Sequence, residues 1–392
     1  MFQSLSHITV GSLVIEENGE TWQFGDPNSD CRAAVEIRDP AVYKEFVLGG
    51  GLGAAEAYVL KLWDTHDLTR VVQVFARNLR SLESRGMLPR LRKTLHWLDH
   101  RFNRNTINQA RKNIAAHYDL GNNLFEQFLD PSMMYSAAMY PSEEATLADA
   151  QTFRLHRICQ KLELTPDDTL LEIGTGWGGM ALFAARHYGC HVTTTTISKE
   201  QYDYAARRVA EEGLEDRITL LLQDYRVLEG NFDKLVSLEM IEAVGHEYLG
   251  TYFAKCSDLL KPDGAMLLQA ITIADQRYDY YRRNVDFIQK YIFPGGALPS
   301  VARITRELSS TTDMTVKHLE DFGLHYAQTL RDWRESFNRR SETILELGYD
   351  ESFQRLWNYY FAYCEGGFRE HNIGVAQLVL AKTQNRRTSI LP

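Results

Sequence analysis

Residues 169–179, Thr-Leu-Leu-Glu-Ile-Gly-Thr-Gly-Trp-Gly-Gly, place a carboxylate at Glu172 two positions before Gly174, followed by Gly176, Gly178 and Gly179. A short apolar run ending in such a turn reads as a buried strand opening onto a helix. Glycines there let backbone approach a nucleotide-like ligand without Cβ interference. The spacing is not the dinucleotide fingerprint G-x-G-x-x-G, because the third glycine comes too early. The plain alternative is a glycine-rich turn in an α/β protein of another kind. Further polar groups recur at equivalent places in the pattern: Thr196 to Gln201, Asp224-Tyr225, and Glu239 with Glu242 all follow strand-like runs.

The elements that must position these groups alternate from residue 165 onward as strand and helix, the mark of a doubly wound parallel sheet. Strands are expected at Thr169–Ile173, His191–Thr196, Arg217–Leu222, Lys234–Glu239 and Ala265–Thr272, with late strands at His325–Leu330 and Val375–Lys382. The stretch Lys199–Glu212 carries a helical apolar stripe of Tyr202, Ala205, Ala206 and Val209. In an open sheet of this kind, ligands bind beyond the carboxyl ends of the strands. The glycine turn, Thr196–Gln201, Asp224-Tyr225 and Glu239–Glu242 all fall there. Between about 273 and 320 lies an aromatic, charged insertion with Tyr278, Tyr280, Tyr281, Phe287, Tyr291 and Phe293.

The N-terminal 85 residues read as a separate small α/β unit. Ile8–Ile15 and Ala33–Arg38 have strand composition, and Asp39-Pro40 starts a helix that Gly49-Gly-Gly-Leu-Gly53 is expected to break. That glycine run lacks the Lys-Ser/Thr of a phosphate loop and reads as a turn. Residues 86–115 form a linker whose first part sets Leu91, Leu95, Leu98 and Phe102 on one helical face and seven basic or histidine side chains on the others. Two readings stand: a surface helix docked by its leucine stripe, or a basic amphipathic helix that meets anionic phosphates at a membrane surface. Residues 116–392 are then expected to form a second, larger domain that carries the chemistry-bearing groups.

The chain of 392 residues is too long for one ordinary core, and its net charge of −9 argues against a general nucleic-acid binder. Five scattered cysteines without a C-x-x-C pair suggest neither zinc nor a disulfide framework, and point to a reducing cytosol. The N-terminus shows no signal-peptide pattern, and no apolar run reaches the length of a membrane span. His117 and His246 read as local hydrogen-bonding residues, and no metal site is expected.

An acidic residue two places before G-x-G-x-G is how S-adenosylmethionine-dependent methyltransferases begin. Along nearly its full length the chain resembles the cyclopropane-fatty-acyl-phospholipid synthases, a group that includes the mycolic acid cyclopropane synthases. The resemblance is carried by Ala116-His-Tyr-Asp-Leu-Gly-Asn, Phe128-Leu-Asp-Pro-Ser-Met-Met-Tyr-Ser, Leu171–Gly179, Thr196-Ile-Ser-Lys-Glu-Gln, Leu222-Gln-Asp-Tyr-Arg, Tyr291-Ile-Phe-Pro-Gly-Gly and Leu298-Pro-Ser. Gly51-Leu-Gly-Ala-Ala-Glu-Ala-Tyr is similar to the extra N-terminal domain of the phospholipid enzymes. The resemblance implies a Rossmann-like class I methyltransferase fold with a mostly parallel seven-stranded sheet. It implies a cytoplasmic enzyme, peripheral to the inner face of the membrane and dimeric in the family's larger members, that adds a methylene across a cis double bond of a phospholipid acyl chain. It assigns cofactor contacts to Tyr135, Ser136, Gly174, Gly176, Thr196, Ile197, Gln201, Asp224 and Tyr225. It also implies a bicarbonate ion, whose ligands map to Glu242, Tyr326 and the backbone beside Ile271, and a family cysteine near the C-terminus that maps to Cys364. Two positions depart: Ala137 stands where the family has cysteine, and Gln269 where it commonly has histidine. Glu239 adds a carboxylate. Gln269 and the run Glu239-Met-Ile-Glu-Ala-Val-Gly245 resemble the plant-type branch.

The implied reaction explains these residue types. An alkene that attacks an electrophilic methyl leaves a carbocation on the acyl chain, which a dry aromatic pocket shields from water and a carboxylate stabilises as it forms. The six aromatic residues of the insertion are candidates for that lining, or for ordinary core packing. Glu242 is the first choice for the carboxylate. A base must then remove a proton from the new methyl, and bicarbonate oriented by Glu242, Gln269 and Tyr326 would serve. Glu239 either shares the anion's role or makes a structural contact. The chemistry requires no cysteine nucleophile, so Cys364 reads as packing. A lipid C-methyltransferase giving a methyl- or methylene-branched, or furan-precursor, fatty acid is the alternative, and a non-catalytic lipid-binding protein is a third.

Overall fold

The computed structural model describes residues 2–83 and 120–386, which fall into two compact units. The basic stretch 86–104, the rest of the 86–115 segment and His117 lie outside the described residues.

One unit joins the N-terminal residues to Arg283–Ile292 and Leu330–Ile373. Its sheet runs β2-β1-β3-β4, with β1 at Ser12–Glu17, β2 at Glu20–Gly25, β3 at Arg32–Ile37 and β4 at Trp63–Asp64. β1 and β2 pair antiparallel across Asn18-Gly19, both at positive φ (51° and 82°), as a two-residue hairpin turn demands. β3 buries Ala33, Val35 and Ile37 in strict alternation. The helix Ala41–Val59 does not end at the glycine run. It kinks at Gly50 (φ 55°, ψ −135°) and resumes, because the alanine-rich stretch beyond the kink buries Ala55 and Ala57. The helices Leu68–Arg77 and Glu351–Arg369 meet so closely that a Cβ on Gly366 would lie 2.6 Å from the Val72 side chain.

The second unit holds a seven-stranded sheet in the order β10-β11-β9-β8-β5-β6-β7. The strands are β5 Thr169–Ile173, β6 His191–Thr196, β7 Ile218–Leu222, β8 Phe232–Leu238, β9 Leu260–Ile273, β10 Thr315–Asp321 and β11 Ile373–Ala381. The β9-β8-β5-β6-β7 part is parallel and β10–β11 is antiparallel. Both faces are covered, as parallel sheets require. Leu171, Leu235, Met266 and Leu268 pack with Tyr252, Phe253, Ile304 and Leu308, while Leu170, Val192, Val236 and Leu267 pack with Leu155, Ile158, Met180 and Ala184. From β5 the chain proceeds to one side through β6 and β7, then returns to the other through β8 and β9. The crevice at this reversal opens beyond the carboxyl end of β5, where the glycine turn stands.

One expected strand is a correction. His325–Leu330 belongs to the helix Gly323–Arg339, and the strand is Thr315–Asp321 just before it. Tyr326, Leu330, Trp333 and Phe337 are buried at spacings of four, three and four, the period of a helix face rather than a strand.

Candidate active site

The glycine turn is built by backbone conformation. Gly174, Gly176 and Gly178 have φ of 103°, 53° and 87°, values that L side chains rarely adopt. The turn is anchored where the Gly174 and Thr175 N–H groups both donate to Thr195 O at 3.1 Å. The helix Gly179–Tyr188 starts here so tightly that a Cβ on Gly179 would lie 2.7 Å from Ser132 O. Along the neighbouring strand ends, Ser198 caps the helix Lys199–Glu211 by accepting from Gln201 N. Gln201 in turn accepts the Thr196 hydroxyl at 2.9 Å. The Asp224 carboxylate is held by Arg226 through Nε at 2.9 Å and Nη2 at 2.6 Å.

These elements enclose a cavity of about 170 Å³, far beyond the roughly 15 Å³ that holds one water. Tyr135, Ser136, Gly174, Gly176, Thr196, Ile197, Gln201, Asp224 and Tyr225 all line it, as do Glu172 and Glu239. Trp177, Gln223, Arg226 and Tyr248 line it too and were not singled out in the sequence. The first three neighbour residues that were, so adjacency was the available signal for them, whereas Tyr248 gave none. A glycine cradle with amide and carboxylate groups at successive strand ends fits a nucleoside-bearing cofactor such as S-adenosylmethionine.

At the end of the adjacent strand β8, side chains rather than backbone do the positioning. Glu239 follows β8 at φ 53°, a left-handed conformation that costs a non-glycine residue on the order of 1–3 kcal/mol. Its Oε1 accepts the Ala137 N–H at 2.9 Å and Gln269 Nε2 at 2.6 Å, and its Oε2 accepts the Tyr326 hydroxyl at 2.9 Å. Three residues on, Glu242 sits in the turn Ile241–Ala243. Its Oε1 accepts the Ile271 N–H at 2.5 Å, while its buried Oε2 has no partner among the described residues. Burial first, and the Glu239 charge second, push Glu242 up to about 8. At neutral pH it therefore keeps its proton. Burial also raises Glu239, but the Ala137 N–H, Gln269, the Arg154 charge and Tyr326 all act to keep it ionised. Its donors and the nearby cation favour charge on Glu239 over Glu242.

The sheet explains why Gln269 points at Glu239. Glu320 on β10 is in register with Gln377 on β11, and Leu238, the residue before Glu239, with Gln269 on β9, so a polar row crosses four adjacent strands. Over it lies the helix Leu147–Leu162 with Arg154 and Lys161, both 0% exposed. Seven residues of helix advance about 10.5 Å, which matches roughly two strand spacings of about 4.8 Å. Lys161 Nζ donates to Gln377 Oε1 at 2.7 Å and pairs with Glu320, while Arg154 Nη1 donates to Ser136 Oγ at 2.7 Å and Gln269 Oε1 at 3.3 Å. Neither cation can accept a hydrogen bond. Each forces an amide oxygen toward itself, so Gln377 Nε2 turns to Gln269 Oε1 at 2.9 Å and Gln269 Nε2 to Glu239. Sequence reasoning missed Arg154, Lys161 and Gln377.

The remaining expected residues lie elsewhere. Cys364 is on the helix Glu351–Arg369 of the first unit, where burial, with Asp286 nearby, pushes its thiol up. Phe287 and Tyr291 belong to that unit as well: Phe287 packs on Tyr359 and Tyr363, and the Tyr291 hydroxyl donates to Glu56 at 2.7 Å. Tyr278 bonds His246 Nδ1 at 3.0 Å, and the Tyr281 hydroxyl accepts the Leu298 N–H at 3.4 Å. Phe293 stacks at a tilt 6.4 Å from the cavity residue Tyr135. None of the six aromatic residues of the insertion lines the cavity itself.

The family model for mycolic acid cyclopropane synthetase matches residues 105–378. The chain is 39% identical over 358 residues to the tuberculostearic acid methyltransferase UfaA1 of Mycobacterium tuberculosis, covering 88% of this chain and 82% of that one. It is 38% identical over 357 residues to the cyclopropane-fatty-acyl-phospholipid synthase of Escherichia coli, covering 91% and 89%. The crystal structure of the mycolic acid cyclopropane synthase CmaA1 complexed with SAH and CTAB superposes with a TM-score of 0.66 at 31% identity, over 69% of this chain and 98% of that one. With a family model over most of its length and relatives at 38–39% identity, the chain belongs to the cyclopropane synthase family of S-adenosylmethionine-dependent methyltransferases.

Proposed function

We propose that the protein transfers a methylene unit to the cis double bond of a monounsaturated phospholipid acyl chain and closes a cyclopropane ring. The observation that carries this reading is the Glu239 carboxylate on the wall of the cofactor cavity, fixed by three hydrogen-bond donors. Bound S-adenosylmethionine supplies an electrophilic methyl group. Gly174, Gly176, Gln201 and Asp224 would hold its nucleoside and amino-acid parts, with Tyr135 and Ser136 on the adjoining wall. Alkylation of an alkene puts positive charge on the acyl carbons that is absent from the ground state, so a fixed carboxylate there favours the transition state selectively. Ring closure then needs a base within reach of the new methyl. Such acyl chains lie in bilayers, so the enzyme meets its substrate at a membrane surface on the cytoplasmic side.

A second reading, a methyl- or methylene-branched product, is favoured by the identity shared with the relative named as a tuberculostearic acid methyltransferase. A methylene branch also needs only proton removal, whereas a saturated branch requires a hydride donor. The test is to incubate the enzyme with S-adenosylmethionine and vesicles of cis-monounsaturated phospholipid, then examine the fatty methyl esters by mass spectrometry and proton NMR. A product heavier by one CH2 with upfield ring-proton signals is expected. The same mass with vinylic signals, or a saturated branch two hydrogens heavier, would select the second reading.

A further inference from the structure

The resemblance to the family implies a bicarbonate ion held by side-chain and backbone donors, and this site does not fit one. The Ala137 N–H, Gln269 Nε2 and the Tyr326 hydroxyl all end on the Glu239 carboxylate, and the Ile271 N–H ends on Glu242. A second anion would find that donor set taken and would face two carboxyl groups. Resting on the alkene-alkylation reading above, we propose that the Glu239 carboxylate occupies the place of a bicarbonate ion and is itself the base of the reaction, so that turnover is independent of dissolved bicarbonate.

The step balances without a further reactant. The alkene π pair forms the bond to the incoming methyl carbon as that carbon's bond to sulfur breaks, leaving a cation on the neighbouring acyl carbon. Glu239 takes a proton from the new methyl, the C–H pair closes the ring, and the carboxylic acid later releases the proton to solvent. Three features of the chain select Glu239 over Glu242 for this work. Glu239 lines the cavity. Its left-handed backbone and three donors fix the direction of its carboxylate. Arg154, through Gln269, supplies buried positive charge behind it. Among the described residues Glu242 accepts one side-chain-to-backbone hydrogen bond, from Ile271, and keeps an unpartnered oxygen.

The test begins with the wild type in carbonate-free buffer, with and without added bicarbonate. Unchanged product formation is expected, and a rate that collapses on depletion and returns on addition overturns the proposal. Glu239→Gln should keep its S-adenosylmethionine affinity and thermal midpoint but lose about 10³-fold in turnover, the scale of a missing general base. Retained turnover overturns the proposal. Glycine suits φ 53°, so Glu239→Gly removes the carboxylate without straining the backbone and exposes its donors. Bicarbonate or formate should then restore turnover. In the absence of any cofactor, ¹³C-bicarbonate should show line broadening with Glu239→Gly and none with the wild type, and broadening with the wild type overturns the proposal. Wild type that binds S-adenosylmethionine yet alkylates no monounsaturated lipid would sink the functional reading instead, and the NMR arm would still decide whether Glu239 excludes the anion.

Discussion

The two walls of the cavity are made by different means. The glycine wall is shaped mainly by its own backbone: three positive-φ glycines within five residues make a turn after β5, with Arg208 donating to the Trp177 carbonyl from outside it. The carboxylate wall is assembled from far-apart segments. Glu239 after β8, Gln269 on β9, Gln377 on β11, Tyr326 on the helix Gly323–Arg339 and the two cations of the helix Leu147–Leu162 must all arrive before the carboxylate has its donors. Damage to the first wall should therefore weaken binding in proportion to one strained residue. Damage to the second should propagate, because each buried polar group removed leaves its neighbour unsatisfied.

The strongest test of that contrast after Glu239 itself is Arg154→Met, a change at a position that does not line the cavity. Gln269 Oε1 keeps the Gln377 Nε2 donor but loses the charged one, and Glu239 loses the charge behind it. Turnover should fall about 10²-fold, the cost of a small misplacement of a catalytic group, with S-adenosylmethionine affinity unchanged. The sign of the pH effect follows from the charge: without the cation Glu239 is harder to ionise, so the ascending limb of the rate profile should move up by about one unit. Arg154→Lys, which keeps the charge but not the fork, should recover part of both. A rate profile that keeps its pH limb in Arg154→Met would break the link between helix and carboxylate.

The glycine wall predicts a smaller loss confined to binding. At Gly174, φ is 103° and a Cβ would stand 3.3 Å from the Met240 side chain. Gly174→Ala therefore adds strain of about 1–2 kcal/mol, a roughly tenfold weaker dissociation constant for S-adenosylmethionine by calorimetry, with the pH profile unmoved. A shifted pH profile in this variant would mean that the two walls are not independent.

The same contrast decides what could be read before the structure. Residues of the glycine wall stand at the ends of apolar strand runs, and a run, a turn and a cap are visible within ten residues of chain. Glu239 and Gln269 were visible as departures from a familiar pattern, although their contact was not, since it depends on β8 lying beside β9. Arg154 and Lys161 could not be read. A basic residue on an amphipathic helix ordinarily faces water, and only the match of helix rise to strand spacing places this pair over the row from Gln269 to Glu320. The mistaken strand at His325–Leu330 has a related origin. Six residues hold too little of a helical stripe to reveal its period, which emerges only when Trp333 and Phe337 are counted.

Glu172 sharpens the comparison at the smallest scale, because it is a carboxyl group on the glycine wall that lacks the donors given to Glu239. It is 2% exposed and accepts a single hydrogen bond, from the Thr194 hydroxyl at 2.6 Å. Burial, opposed only by that bond, pushes it from 4.5 up to about 8. Since an acid with a raised folded-state pKa holds a proton that the unfolded chain has lost, it makes stability fall as pH rises between those two values. The slope is about 1.4 kcal/mol per pH unit for one proton. Glu172→Gln keeps the shape and cannot titrate, while Glu242 contributes equally to both proteins. The stability of Glu172→Gln relative to wild type, from denaturant unfolding of the cofactor-free protein, should therefore rise steadily from pH 5 to about 8 and level off above it. Parallel curves would mean that Glu172 is ionised in the folded state, and that the glycine wall holds its carboxylate charged as firmly as the other wall holds Glu239.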